Sequence, residues 1–347
     1  METTAHLELP HWPLYEEDEI QAVSQVLRSG KTNCWTGIEG QNFAREFAAA
    51  CHCRYAVPLA NGTVALETAL RAVGVKPGDD VVVTCRSFVA SASSAAIIGA
   101  TPRFADVDPD SQNLTVDTVR AALTPASTAI IAVHLSGWPC DMHQLTAFAE
   151  ANGLLLIEDC AQAHGASFDG RPVGSFGHAA AWSFCQDKII ATGGEGGMLT
   201  TNDENVWTKA WEYKDHGRNH AICSRPITRP GFQWQITRFG TNLRMTEMQA
   251  AIGRIQLQKL PSRLRRRREN AHELIAVLSR CSFLRVPVPP ANVDHAYYRL
   301  YAFVKPHCLA PGWDRDGIIR ALQTAGVPCR HGICPEIYRE TAFTEAF

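Results

Sequence analysis

The stretch GLLLIEDCAQAHGA, residues 153–166, turns from wholly apolar to acidic within a few positions. Gly153 to Ile157 carry no polar side chain, and then Glu158 and Asp159 follow. A short apolar run of this kind reads as a strand buried on both faces. A carboxylate at the end of such a strand is costly unless it meets a cation or several donors. The protonated ring nitrogen of a cofactor would satisfy Asp159. Capping of a following turn is the plainer use for it.

Similar runs flank this one. YAVPL (55–59), DVVVTC (80–85), PRFADV (102–107), AIIAVHL (129–135), AAAWSF (179–184) and GMLTT (197–201) also read as buried strands. Helical patterns such as TVALETALRAV (63–73) and DMHQLTAFAEANG (141–153) lie between them. The alternation predicts an α/β fold with a mostly parallel sheet covered by helices. Functional residues on such sheets lie beyond the carboxyl ends of the strands.

The pattern changes after about residue 245. MTEMQAAIGRIQLQKL predicts a helix that stops at Pro261, and SRLRRRRENAHELIAVLSR predicts a second one. YYRLYAFV (297–304) predicts a lone strand, and DRDGIIRALQTAG (314–326) a helix ended by glycine. The expected division is a large domain over 1–245 and a smaller α/β domain over 246–347.

Composition narrows the function classes. The 347 residues are 46% hydrophobic and 20% charged, with a net charge of −2. That balance favours neither nucleic acid nor a membrane surface. No apolar run approaches the roughly 20 residues of a membrane-spanning helix. METTAHLELPHWP has neither the basic nor the apolar region of a signal peptide. The 12 cysteines are scattered, so free thiols in a reducing cytoplasm are expected. Cys51-His52-Cys53 lacks the usual zinc spacing, and no metal is expected. The run of Arg263 and Arg265 to Arg268 has no aromatic interleaving and reads as the solvated face of a helix.

Three further features fall at predicted strand ends. Asn61-Gly62-Thr63 opens a helix, where free backbone N–H groups suit a phosphate, or where a residue simply caps. Ser183 precedes Lys188 in SFCQDKIIATGGEGG (183–197). Asn242 and Arg244 precede a helix in GTNLRMTE (240–247). With Asp159 these supply a phosphate cradle, a carboxylate for a pyridinium and a lysine for a Schiff base. Pyridoxal phosphate needs that set from a protein. Gly193, Gly194, Gly196 and Gly197 read as positions where backbone must pass closely, and Glu195 as an exposed turn residue.

NGTVAL, IEDCAQAHGA, SFCQDKIIATGGEGGML and GTNLRMTEMQAAIGRIQL resemble the motifs of the DegT/DnrJ/EryC1/StrS aminotransferases, in the same order. The resemblance runs from about residue 10 to the end. It implies the fold-type I scaffold of aspartate aminotransferase, pyridoxal 5'-phosphate as cofactor, and amination of nucleotide-linked keto-sugars or cyclitols.

Residue by residue, Lys188 matches the Schiff-base lysine and Asp159 the carboxylate paired with the pyridine nitrogen. Gln162 matches the neighbour of the phenolic oxygen, and Phe88 the aromatic stacked on the ring. Gly62, Thr63 and Ser183 match phosphate contacts. Asn242 matches a phosphate ligand that the partner subunit supplies, so a homodimer with shared sites is implied. Trp35 and His216 fall in regions the family places near substrate.

Two departures stand out. The sequence ends at TAFTEAF, where family members usually continue through a further strand and helix. Cys85-Arg86 replaces small or proline residues before the stacking aromatic, and Arg86 is expected near substrate or in an external ion pair.

The implied activity moves an amino group from L-glutamate or L-glutamine to a nucleotide-linked keto-sugar. An inosose aminotransferase is the close alternative, and a cofactor-binding regulator the non-enzymatic one. Lys188 argues against the family's dehydratases, which carry histidine there.

Overall fold

The computed structural model describes residues 11–225, 234–332 and 336–346. Most of METTAHLELPHWP and the final Phe347 lie outside the described residues. Helices α1 (Glu17–Ser29) and α2 (Glu39–Ala50) come first. Then β1 (Tyr55–Leu59), α3 (Gly62–Val73), β2 (Asp80–Thr84), α4 (Ala90–Ile97) and β3 (Thr101–Ala105) alternate. The alternation continues through α5 (Val116–Ala122), β4 (Ser127–Val133), α6 (Met142–Ala151) and β5 (Leu155–Asp159). A short hairpin, β6 (Ser167–Phe168) and β7 (Arg171–Pro172), precedes β8 (Ala179–Ser183) and β9 (Gly197–Thr201). Helices α7 (Glu204–Tyr213) and α8 (His220–Cys223) lead on to the long α9 (Glu247–Leu278).

Seven strands form one sheet in the order β1-β9-β8-β5-β4-β2-β3. Only β9 runs against its neighbours. The sheet matches the α/β expectation, and the period-2 rule explains its two cores. Val81, Val83, Ile131, Val133 and Ile157 pack beneath α3 and α4, while Val82, Ile130, Ala132 and Leu156 pack beneath α6. Phe43, Phe47, Trp182 and Phe184 fill a further core under α2 and α9. Among the described residues no helix is long and apolar enough to cross a membrane.

Beyond α9 the chain is less regular. β10 (Leu284–Arg285) pairs with β12 (Phe303–Val304), and β11 (Val293–Asp294) joins the β6–β7 hairpin. Helix α10 (Arg315–Thr324) matches the expected one. Helix α11 (Thr341–Ala346) closes the described chain. The ring of Phe343 meets Phe104 edge-on at 5.3 Å.

Two expectations fail here. No break occurs at Pro261, which lies inside the 32-residue helix α9. An interior proline costs about 3 kcal/mol. Leu257, Leu260 and Leu264 offset that cost by packing on the aromatic core. Gln256 and Lys259 add bonds of 2.7 and 2.8 Å to Glu19 of α1. The lone strand over 297–304 shrinks to Phe303–Val304. Tyr297 has φ +47°, and Ala296 N–H donates to Gly137 O at 2.9 Å, so this backbone bonds to a loop instead of a ladder.

Candidate active site

The sheet order explains the site. Strands β1, β9, β8 and β5 are consecutive neighbours. The carboxyl ends of β5 and β8, the start of β9 and the β1–α3 connection therefore meet at one edge. Asp159 ends β5, Ser183 ends β8, Gly197 begins β9 and Gly62 begins α3.

Asp159 is buried and accepts bonds from Ser91 Oγ at 2.7 Å and Ala161 N–H at 3.1 Å. Burial holds its carboxyl above the usual range, and those two donors do not fully offset this. Among the described residues no cation lies within ion-pair distance of it. Its neighbour Glu158 points to the other face and has a different fate. Glu158 accepts from His134 Nε2 at 3.1 Å and from the amides of Gly174, Phe176 and Gly177 at 2.7–2.8 Å. Burial pushes Glu158 up, but His134 and these amides bring it below its ordinary value. Glu158 is thus a satisfied structural anchor, although it sits with His134 and Cys160 in a metal-like cluster. Among the described residues Cys51-His52-Cys53 falls in no such cluster, and the Cys53 thiol donates to Gly174 O at 3.2 Å.

The α3 start is a tight cradle. Asn61 accepts from Val64 N–H at 3.0 Å, which leaves the first N–H groups, those of Gly62 and Thr63, without a helical partner. A Cβ on Gly62 would lie 2.6 Å from Ser183 Cβ, so only glycine lets the helix begin there. A Cβ on Gly197 would lie 2.3 Å from Asn61 O. Gly193 and Gly194 adopt φ of +81° and +119°. The glycine run thus serves close approach at one end and backbone conformation at the other, while Glu195 is exposed.

Lys188 leaves this loop with its side chain 15% exposed. Its Nζ donates to Tyr298 Oη at 3.3 Å and lies 3.5 Å from Asp187 Oδ1. Its carbonyl accepts from Trp12 Nε1 at 2.9 Å, and Gly193 N–H donates to Tyr15 Oη at 2.9 Å. Trp12 is covered by Arg263 and Arg267, whose guanidinium carbons lie 5.2 and 5.3 Å from its ring centre. Arg268 donates to His295 O at 3.1 Å. The arginine run is therefore only partly a solvated face. Its inward members fasten the N-terminal segment to the lysine loop, a role visible only once the helix is folded.

Gln162 is buried, and its Oε1 accepts from Ser136 N–H at 2.7 Å, so its NH₂ group is the end left for a ligand. Phe88 lies just before α4 with 53% of its surface exposed. His164 is buried with neither ring nitrogen hydrogen-bonded among the described residues, and burial drives its pKa down to about 3. Among the described residues Arg86 makes no ion pair. It reaches Gln112, and its guanidinium carbon sits 4.9 Å from the Tyr301 ring centre.

Trp35, His216 and Asn242 gather elsewhere. His216 is exposed at φ +60°, and its N–H donates to Thr241 O at 3.0 Å. Asn242 is exposed and bridges to Asp215. Asp215 is buried and meets three cations: Arg244 at 2.7 Å, Arg218 at 3.4 Å and Lys214 at 3.6 Å. Arg218 lies over the Trp35 ring at 4.9 Å. Trp35, Trp207, Trp211, Lys214, His220 and Arg244 line a groove of about 700 Å³. Among the described residues no hydrogen bond, ion pair or ring contact joins Trp35, His216 or Asn242 to Lys188 or Asp159.

The first cluster fits pyridoxal phosphate. It offers a buried carboxylate without a counter-cation, a reachable amine, an anion-ready helix start and an uncovered aromatic face. Residues 13–347 match the DegT/DnrJ/EryC1/StrS aminotransferase family. The chain is 37% identical to an L-glutamine:2-deoxy-scyllo-inosose aminotransferase of Streptomyces kanamyceticus, over 90% of this chain and 74% of that one. It is 34% identical to a GDP-perosamine synthase of Escherichia coli O157:H7, over 82% of this chain and 76% of the other. An aminotransferase structure from Psychrobacter cryohalolentis superposes with a TM-score of 0.93 at 48% identity, covering 96% of this chain and 87% of its own.

Proposed function

The chain belongs to the DegT/DnrJ/EryC1/StrS family of pyridoxal-phosphate-dependent aminotransferases, and on that premise we propose the roles of its residues and its substrate. The reaction moves an amino group from L-glutamate or L-glutamine to a nucleotide-linked keto-sugar. The observation that carries this reading is the buried Asp159 with no cation within ion-pair distance among the described residues, at the same sheet edge as the Lys188 loop and the α3 start.

When bound there, pyridoxal phosphate would supply an electron sink for removal of the donor's α-proton. Asp159 keeps a ring nitrogen protonated by charge, and its burial strengthens that pairing. Lys188 would hold the cofactor, and its Nζ is the group that would move the proton. Gly62, Thr63 and Ser183 hold the phosphate, Phe88 covers the ring, and the Gln162 amide meets the phenolic oxygen. Residues 1–245 are assigned to the cofactor domain and 246–347 to the smaller one, in the cytoplasm.

Asn242 is assigned to the neighbouring site of a homodimer, as Asn242 of the partner subunit. Its exposure supports this, as do Trp234, Ile236 and Phe239, which are 46%, 51% and 99% exposed on one short segment. Trp35 and His216 are assigned to the substrate side. The surplus positive charge around Asp215 suits a phosphate-bearing substrate. The Streptomyces relative favours a second reading, a cyclitol ketone as acceptor.

The test is a half-reaction. Purified yellow protein should bleach with L-glutamate or L-glutamine, and the colour should return with the right keto-acceptor. A panel of nucleotide-linked keto-sugars and inososes then separates the two readings. Protein that stays yellow with every amino donor would favour the regulator.

A further inference from the structure

Tyr298 plays no part in the roles assigned so far, yet it is the side chain that holds Lys188. It is 3% exposed and lies 110 positions away in sequence. Its hydroxyl accepts from Lys188 Nζ at 3.3 Å, and Nζ sits 4.9 Å from its ring centre. The same hydroxyl donates to Asp187 Oδ2 in a short bond. Asp187 Oδ1 is 3.5 Å from Nζ, so the three groups close a triangle.

The backbone sets this position firmly. Arg299 N–H donates to Ser136 O at 3.3 Å, and Ser136 Oγ donates to Arg299 O at 3.0 Å. Ser136 N–H in turn holds Gln162. Ser136 and Tyr297 adopt φ of +63° and +47°, a region side chains rarely enter unless their surroundings compel it. A Cβ on Gly137 would come within 2.9 Å of Ala296 Cβ and Gln162 O. One knot therefore fixes both Gln162 and Tyr298.

We propose that Tyr298, backed by Asp187, is a positioning residue that holds the free amine of Lys188 at the cofactor site. This rests on the reading of Lys188 as the reacting lysine. A phenol has one proton, and Tyr298 spends it on Asp187. Its lone pairs are what remain for Nζ and for Arg299 Nη2, which donates at 3.5 Å, so the pair holds the amine in a fixed place. The other charged or titratable groups around this triangle are Arg299, 3.9 Å from Asp187, with Asp159, neutral His164 and Arg267. Without Tyr298 the long lysine side chain regains rotamer freedom.

The experiment uses cofactor-free full-length protein at neutral pH. Lysines are labelled competitively with acetic anhydride, and labelling of Lys188 is read by mass spectrometry against exposed Lys31. Both contacts occupy Nζ and keep it from the reagent, so Tyr298→Phe and Asp187→Asn should each raise Lys188 labelling about threefold or more, the worth of one net hydrogen bond. Loaded with cofactor, both variants should lose kcat by roughly tenfold with little change in donor KM. If Tyr298→Phe folds poorly, Asp187→Asn, with its side chain 45% exposed, gives the same reading. Unchanged Lys188 labelling in a folded variant overturns the proposal. Borohydride reduction of the wild type keeps the two readings apart. Cofactor trapped on another lysine defeats the reading of Lys188 itself, whereas cofactor on Lys188 with indifferent variants defeats only the role of Tyr298.

Discussion

The Lys188 cluster and the Asp215 cluster are built from opposite materials. The first is buried, drawn from strand ends of one chain, and short of a cation at Asp159. The second has three cations on one carboxylate and an exposed rim of Trp35, His216 and Asn242. Burial in the first fixes geometry before any ligand arrives, which is what a reaction requires. Openness in the second leaves surfaces that gain from being covered, by substrate or by a second subunit. On the proposed reading, the contrast separates the place of chemistry from the place of selection.

Removing the amine should break the first cluster outright. Lys188→Ala should show no turnover and no visible band from the lysine-linked cofactor, although phosphate contacts can still retain cofactor. Peptide mapping after borohydride reduction checks the attachment in the wild type, and a modified peptide elsewhere refutes it.

Asp159→Asn should slow the glutamate half-reaction by about a hundredfold or more, because the sink loses its charge partner. The same change should stabilise the cofactor-free protein at neutral pH. Burial raises the Asp159 pKa in the fold, so its ionisation costs the folded state as pH rises. The variant's advantage, about 2 °C in Tm, should vanish as pH falls toward roughly 4. Equal melting of both proteins at pH 7 would show that Asp159 is already compensated.

The two clusters can also be tested against each other. Lys188→Ala and Asn242→Ala should each be impaired alone. In heterodimers one site carries both lesions and the other neither. Co-expression should therefore return about a quarter of wild-type activity, since half the dimers are mixed and each has one intact site. No recovery above the parents would place Asn242 at its own chain's site, or at none.

The smallest effect is expected at the arginine run. Replacing Arg263 and Arg267 by alanine should free Trp12 and cost about 1 kcal/mol of stability, read as a lower Tm. Nucleic-acid binding by the wild type should be weak and disappear at physiological salt. Salt-resistant retention of DNA or RNA in a gel shift would contradict this and revive the regulator.

Much of the first cluster was legible in the sequence. Asp159, Ser183 and Gly62 lie at strand or helix ends that local periodicity marks, and parallel strands must bring such ends to one edge. Lys188 was legible through the glycines that follow it. The roles of Glu158, Tyr298, Trp12 and the inward arginines were not. Adjacent strand residues face opposite ways, so only the surroundings of each face separate a satisfied Glu158 from an uncompensated Asp159. Tyr298 sat in an apparent strand, and a backbone knot with residues 136–137 turned it toward Lys188. Pro261 marked a helix end by its own chemistry, and core packing across α9 overruled it. Local pattern thus determined the α/β class and the row of chemical groups, because both depend on neighbours a few positions apart. The tertiary structure alone decided what holds that row in place, because contacts across more than a hundred positions leave no periodic trace in the chain.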